Sequence, residues 1–470
     1  MKTPYPHQEA NIVRAYANLA SCGPRWLFGN ETGIGKTGEA LTLLKRMDWK
    51  GDILIISEAI TRGHWRNELQ QWWPERFEAP DSVGLVNMSP GRKTQTKKQL
   101  ASWPTVLAAP ARVVSYDLLD PARDLRPNQA VLLDEVHLLI NPAAKRSRNV
   151  RGVLLDNRSP LFELTATPQP DRPEQIWNLL SILCPMRYGR NPKKPSTGEK
   201  AAAAFDFLNR YLERVPGTYG SSWGRLREEM ADELRWRIEC VMSRTTRAEI
   251  AHLLPPVQVV PLPQPAARNR DELVAEWAAN KTGEATHCVV LCHKRTSAYK
   301  LGEQLKAKFP DHYVEVITGA LTPDERVARI EMLKCAPKAI LVATMHSITR
   351  GISLSFAKRW LFAELYWRPE TLIQVVGRGS RLDNIGGEPP LFEILCQDGS
   401  LEQRQCNAIA EKLMQIHMTT GAGQTDGALR TAMTPSEEMM EQMLKDAAWQ
   451  PDWVDEIDST IDYEDDMEDG

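Results

Sequence analysis

Residues 30–37 read Asn-Glu-Thr-Gly-Ile-Gly-Lys-Thr, between the apolar run Trp26-Leu27-Phe28 and the helical pattern that continues to Arg46. A strand that passes through glycines into a helix N-terminus aims backbone N–H groups at an anion. Gly33 and Gly35 let the backbone come close, and Thr32 and Ile34 complete a loop around a phosphate chain. Lys36 has the reach for β- and γ-phosphates, and the Thr37 hydroxyl suits Mg²⁺. Asn30 stands where the usual pattern has its first glycine. The complementary group is a carboxylate ending a neighbouring strand. Ala-Val-Leu-Leu-Asp-Glu-Val-His at 130–137 supplies two, Asp134 to hold Mg²⁺ through water and Glu135 to polarise an attacking water. Either acid alone could simply end a strand at a solvated edge. The pair, after four apolar residues and in a chain that also carries Gly-Lys-Thr, points to a nucleoside triphosphate and Mg²⁺ as ligands.

Such loops need parallel strands behind them. In the first half, short apolar runs at 25–29, 52–57, 111–116, 130–135 and 161–167 alternate with helical patterns such as Lys36–Arg46 and His64–Trp73. That alternation predicts an α/β fold with a mostly parallel sheet. A helix-rich insertion is expected over about 186–250, beginning in the loop-like Gly189–Lys200. The stretch 253–270, LLPPVQVVPLPQPAARNR, reads as a proline-rich linker. A second α/β series follows in 286–293, 312–319, 338–344, 359–365 and 391–397. The expected division is a first lobe at 1–252, a linker at 253–284, a second lobe at 285–421, then a linker and C-terminal helix at 422–450. Thr434-Pro-Ser-Glu437 is a capping box that opens that last helix.

The chain has 470 residues, 42% hydrophobic and 25% charged, which excludes global disorder. No run approaches 18 apolar residues, so no membrane-spanning helix is expected. The opening MKTPYPHQ lacks the apolar core of a secretory signal, and the eight cysteines show no paired framework, so reduced thiols in a cytoplasm are expected. His287-Cys288-Val-Val-Leu-Cys292-His293 has zinc-ligand residue types, but it reads better as a buried strand with both thiols on one face. The net charge of −3 conceals a split: ten of the 61 acids lie in 451–470, leaving 51 against 58 bases elsewhere. The body is mildly basic, which allows a polyanion partner. The acidic tail is expected to be disordered, either solubilising the chain, competing with a polyanion or recruiting a basic protein.

Taken in order, the motifs resemble those of superfamily 2 helicases and translocases of the Snf2 branch, over roughly residues 4–415. Pro4–Gln8 resembles the Q motif, whose glutamine reads adenine, here Gln8. Asn30–Thr37 is similar to motif I, 54–72 to motif Ia, 113–119 to motif Ib and Asp134–His137 to motif II. Thr165-Ala-Thr-Pro168 resembles motif III, and 244–256 the Snf2 segment between lobes. In the second half, 289–305 resembles motif IV, 342–369 motif V, and Gln374–Arg381 motif VI. The stretch FAELYWRPETLIQ looks most like the annealing-helicase subgroup. Motif III here reads TAT rather than TGT, and motif VI lacks the usual acidic residue and histidine.

The resemblance implies two RecA-like lobes whose closure completes an ATPase site. Lobe two would bring Arg378 and Arg381 to the γ-phosphate and Gln374 to the attacking water, while His137, Thr165 and Thr167 couple the site to nucleic acid. It also implies backbone phosphate contacts from Arg62, Ser115, Tyr116, His293, Lys294 and Arg350. Basic residues at 91–98 and Lys193-Lys194 could add to these. No base-reading module is evident, so binding should be independent of sequence. The expected activity is an ATP-dependent DNA translocase or helicase that moves on, remodels or anneals single-stranded, duplex or branched DNA. An RNA helicase is the alternative within enzymes, and a nucleotide-gated scaffold with little turnover is the alternative outside them. The compact build suggests a bacterial or viral source.

Overall fold

The protein, seen in a computed structural model, is described over residues 2–433 except 87–96, 155–158, 170, 186, 189–196, 218–219, 255–256, 265–268, 285, 350–352, 381–387, 398–400 and 422–423. Arg350, Arg381, Lys193-Lys194, most of the 91–98 cluster, the capping box and the acidic tail therefore lie outside the described residues. No helix among the described residues is long and apolar enough to cross a membrane.

Two separate parallel sheets organise the chain. The first holds β1 (Arg25–Phe28), β2 (Asp52–Ser57), β3 (Val83–Val86), β4 (Ala111–Ser115), β5 (Gln129–Asp134) and β6 (Leu161–Leu164). A hairpin follows, β7 (Leu212–Gly217) with β8 (Gly220–Leu226), and then β9 (Met242–Ser243) returns to the sheet. The strand order is β3-β4-β2-β5-β6-β1-β9. Alternation within a strand fills both faces: Ile53 and Ile55 enter one core and Leu54 and Ile56 the other. The second sheet contains β10 (Gln258–Gln264), β11 (His287–Cys292), β12 (Tyr313–Ile317), β13 (Ala339–Thr344), β14 (Arg359–Phe362) and β15 (Leu391–Gln397), in the order β10-β15-β14-β11-β13-β12. The chain is thus two α/β lobes with parallel sheets flanked by helices. Cys288 and Cys292 point to one face of β11, in an apolar core.

Three expectations change. The proline-rich stretch read as a linker contains β10, an edge strand paired in parallel with β15. Its prolines do not prevent this. The Gln258 amide donates towards the β15 side, to the Pro390 carbonyl, so Pro261 and Pro263 occupy the alternate backbone positions, which face outward and need no donor. The rest of that stretch opens the helix Arg270–Glu284, which packs on lobe two through Val274 and Trp277. The helix-rich insertion also carries the antiparallel β7–β8 hairpin between the helices Thr197–Tyr211 and Glu228–Glu239. Finally, the helix expected at 64–73 spans Arg62–Trp72, because Pro74 starts a new turn after it.

The helix Leu401–Thr420 ties the lobes together. It packs on lobe two through Ile409 and Leu413 and reaches back to lobe one. Lys412 pairs with Asp171 at 2.8 Å, the Thr419 hydroxyl donates to Gln169 at 2.5 Å, and Arg235 donates to the Met418 carbonyl at 2.8 Å.

Candidate nucleotide site and nucleic-acid track

The phosphate loop leaves β1 and enters the helix Lys36–Arg46. Gly33 and Gly35 have φ of 79° and 94°, the left-handed region that residues with a Cβ avoid. A Cβ at Gly35 would also strike the Gln8 amide. Gln8 is buried, and its Nε2 donates to the carbonyls of Ile34 (3.0 Å) and Gly35 (3.1 Å). Lys36 Nζ donates to the Asn30 carbonyl at 3.0 Å, and burial lowers its pKa against the opposing pull of Glu135, Asp134 and Glu39. Thr37 opens the same helix.

Asn30 has a physical reason to replace glycine. Its Nδ2 donates to Glu39 at 2.7 Å, and its Oδ1 accepts from Asn11 (3.2 Å) and from the backbone of Thr245 (2.8 Å). One side chain thereby joins the loop, the first helix and the segment that leads to lobe two. Glu39 sits in this network with its pKa raised to about 8, chiefly by burial.

Asp134 ends β5 and accepts the Trp65 indole N–H at 2.7 Å. Burial first, and the adjacent Glu135 second, push its carboxyl up. Glu135 has φ 49°, a left-handed backbone for a residue with a Cβ. Burial would raise its pKa, but the bond and charge of His137 outweigh it and hold the carboxylate ionised. The His137 ring bridges the lobes. Its Nδ1 lies 3.3 Å from Glu135 and 3.1 Å from the Thr165 hydroxyl, and its Nε2 lies 2.7 Å from Glu370 of lobe two. Burial disfavours the charged ring, yet Glu370 and Glu135 push its pKa up to about 10. Gln374 donates to Glu370 at 3.1 Å and stands 3.5 Å from His137. The Thr165 hydroxyl also accepts the backbone N–H of Thr167 at 3.1 Å. Glu135, His137, Thr165, Thr167 and Gln374 therefore form one contiguous group.

Arg378, on the helix Pro369–Gly379, donates to the Thr349 carbonyl and is near enough to lower the pKa of Lys36 and Glu135. The Thr32 side chain packs against Gly377, where a Cβ would collide with it, so the phosphate loop meets the end of that helix directly. Thr32 Oγ1 is buried without a hydrogen-bond partner. An unfilled hydroxyl, two left-handed glycines, a half-buried lysine and two carboxylates are a set of groups that fits a triphosphate with Mg²⁺.

Two residues at this junction escape sequence reasoning. Arg247 is fully buried; its guanidinium donates to the Thr32 carbonyl (2.8 Å) and to the Ser380 hydroxyl (2.7 Å) and carbonyl (2.5 Å), while its backbone N–H donates to Glu31 (2.5 Å). Glu370 is the second. Their only signal is position, one in the segment between lobes and the other one turn before Gln374.

The expected nucleic-acid contacts divide. Ser115 and Tyr116 are each 2% exposed, and the Tyr116 hydroxyl donates to the Asp134 carbonyl at 2.7 Å. They stand at and just after the carboxyl end of β4, which lies between β3 and β2, so Tyr116 also braces the strand that carries Asp134. Arg62 Nη1 donates to the Val86 carbonyl at 2.6 Å, bracing the end of β3. His293 is half-buried and Lys294 exposed, just beyond β11.

Comparison with known proteins places this geometry. Residues 7–262 match the SNF2-related domain and residues 269–383 the helicase conserved C-terminal domain. The chain belongs to the SNF2-related family. Among its relatives is the human protein named DNA annealing helicase and endonuclease ZRANB3, 23% identical over 80% of this chain and 37% of that protein. The Xenopus tropicalis SWI/SNF-related matrix-associated actin-dependent regulator of chromatin subfamily A-like protein 1 is 24% identical over 76% of this chain and 39% of that one. The Bacillus subtilis uncharacterized ATP-dependent helicase YqhH is 28% identical over 45% of this chain and 36% of its own. The chain thus spans well under half the length of these relatives. Saccharomyces cerevisiae Dbp5, solved with RNA and ADP BeF3, shares the fold with a TM-score of 0.52 at 13% identity, over 92% of this chain and 95% of that one.

Proposed function

We propose that this chain is a nucleic-acid-dependent ATPase that moves on or remodels DNA without reading its sequence. The observation that carries this reading is the path Glu135–His137–Glu370, which links the water-activating candidate in lobe one to the helix of lobe two that bears Gln374 and Arg378. Such a link makes the hydrolytic group sensitive to lobe closure.

The roles follow from charge and position. The loop Thr32–Thr37, with Ile34 held under Gln8, takes the phosphates. Thr37 and Asp134 would hold Mg²⁺, which would supply neutralisation of phosphate charge when bound. Glu135 accepts a proton from the attacking water, and Gln374 orients it. Arg378 and Arg381 neutralise charge on the γ-phosphate as the lobes close. The name of one relative, a DNA annealing helicase, favours DNA over RNA, and single-stranded, duplex and branched DNA all remain within the reading. A cytoplasmic site of action in a bacterial or virus-infected cell completes the reading.

ATPase rate measured side by side with single-stranded, duplex and forked DNA and with RNA tests it. Stimulation by DNA is the expected result. Stimulation by RNA alone would select the RNA helicase alternative, and a flat low rate with tight DNA binding would select the scaffold.

A further inference from the structure

Three rings meet at the carboxyl ends of three adjacent strands of lobe two. His293 follows β11, His346 lies in the first turn after β13, and Tyr366 follows β14. Tyr366 is central: its ring centroid is 4.9 Å from that of His293 and 4.6 Å from that of His346, the latter nearly perpendicular at 83°. In parallel sheets, the crevice outside the carboxyl ends of the strands is where ligands bind.

The rings are mounted rigidly. The Glu364 carboxylate accepts the backbone N–H groups of His293 (2.7 Å) and Lys294 (3.0 Å) and the Ser297 hydroxyl (2.6 Å), which pins the loop after β11. Tyr366 packs on the lobe-two core, and Lys412 donates to the next carbonyl, Trp367, at 3.1 Å. Beside the group, His346, Lys294 and Arg295 are exposed. Burial lowers the His293 pKa, so that ring is neutral at physiological pH.

Rigid aromatic faces flanked by cations suit a nucleic-acid strand, the cations taking phosphates and the rings taking bases. A duplex hides its base faces in the stack, so the rings have a partner only where a base is unpaired. We propose that Tyr366, with His293 and His346, forms a stacking platform for an unpaired base of the bound strand. This rests on the nucleic-acid reading above and sharpens its substrate to DNA with a single-stranded or disrupted segment.

The test is direct binding, by fluorescence anisotropy, of three probes: an oligothymidylate, an abasic strand of the same length and a blunt duplex. The abasic strand keeps the phosphates and lacks the bases. The wild-type chain should prefer the oligothymidylate over the abasic strand by about tenfold, the scale of one stacked base. Tyr366→Ala should abolish that preference while abasic and duplex affinities stay as they were, and Tyr366→Phe should keep it. His346→Ala, at an exposed position, should reduce it. Equal wild-type affinity for the oligothymidylate and the abasic strand overturns the proposal, as does uniform weakening for all three probes in His346→Ala. A base preference in a chain whose ATPase no DNA stimulates would uphold the platform and remove the coupled-hydrolysis reading instead.

Discussion

Glu135 combines three features at one residue: a left-handed backbone, a half-buried carboxylate, and a cationic partner that keeps it ionised. A carboxylate held ionised by His137 is ready to take a proton without first losing one. Glu135→Gln keeps the shape and removes the base. ATP binding, measured with a fluorescent analogue, should persist while stimulated turnover falls roughly 10²- to 10⁴-fold. Retention of more than about a tenth of the rate would remove Glu135 from that role, given the usual size of general-base effects. The residues of the phosphate loop and the acidic pair were legible because their chemistry is local: glycine, lysine and hydroxyl stand within a few positions of each other. The burial of Ser115 and Tyr116 was not legible, because the depth of a strand end depends on its neighbours in the sheet, which no local pattern states.

Among elements, the segment between the lobes was recognisable by composition but not by shape. Edge position made a strand out of a proline-rich run, and edge position is a tertiary fact. Arg247 belongs to the same class, since three acceptors from two lobes converge on it only after folding. Arg247→Lys keeps the charge and loses the planar fork. DNA-stimulated turnover at saturating ATP should fall about tenfold, the equivalent of one charge-assisted hydrogen bond. An unchanged rate would separate this contact from catalysis. The interior strand β6 supports a different prediction. Glu163 is buried in it with neither carboxylate oxygen hydrogen-bonded, and burial holds its pKa well above normal despite Arg25 and Arg151. Above the ordinary glutamate pKa of about 4.3 the unfolded chain gives up this proton while the folded chain keeps it. Stability contributed here is therefore full at low pH and is lost as pH rises towards the folded pKa. Glu163→Gln should raise the melting temperature more at pH 8 than at pH 5, by roughly 2–4 °C per kcal/mol. Equal shifts at both values would contradict the assignment.

For the whole molecule, the charge split sets a prediction on residues 451–470. A tethered polyanion competes with DNA at high local concentration, and the competition is screened as salt shortens the Debye length to roughly 8 Å or less. Deleting 451–470 should tighten DNA binding several-fold at low salt and leave it unchanged at high salt, in a titration series with both chains. Equal affinities at low salt would leave the tail a solubilising or partner-recruiting role. The two-lobe plan was legible as two strand series, because buried parallel strands are continuous apolar runs. The β7–β8 hairpin was not, because its run carries Arg, Pro, Gly and Ser where a buried strand would be apolar.

Leu254 is packed with Ile34 beneath the phosphate loop, while Val257 is buried in the core of lobe two. Only Pro255 and Pro256 separate these anchors. Three peptide steps span at most about 11 Å, at 3.8 Å between successive Cα atoms. The two lobes are on a short leash at this point and cannot draw apart in parallel while both anchors stay buried. Relative motion of the lobes that leaves both anchors buried is therefore smallest beside this connection and grows with distance from it. Stride along a strand would then be set by how far from those prolines the strand is gripped. If the chain moves on DNA as proposed, lengthening the leash with glycines, rather than altering any site residue, should decouple hydrolysis from movement.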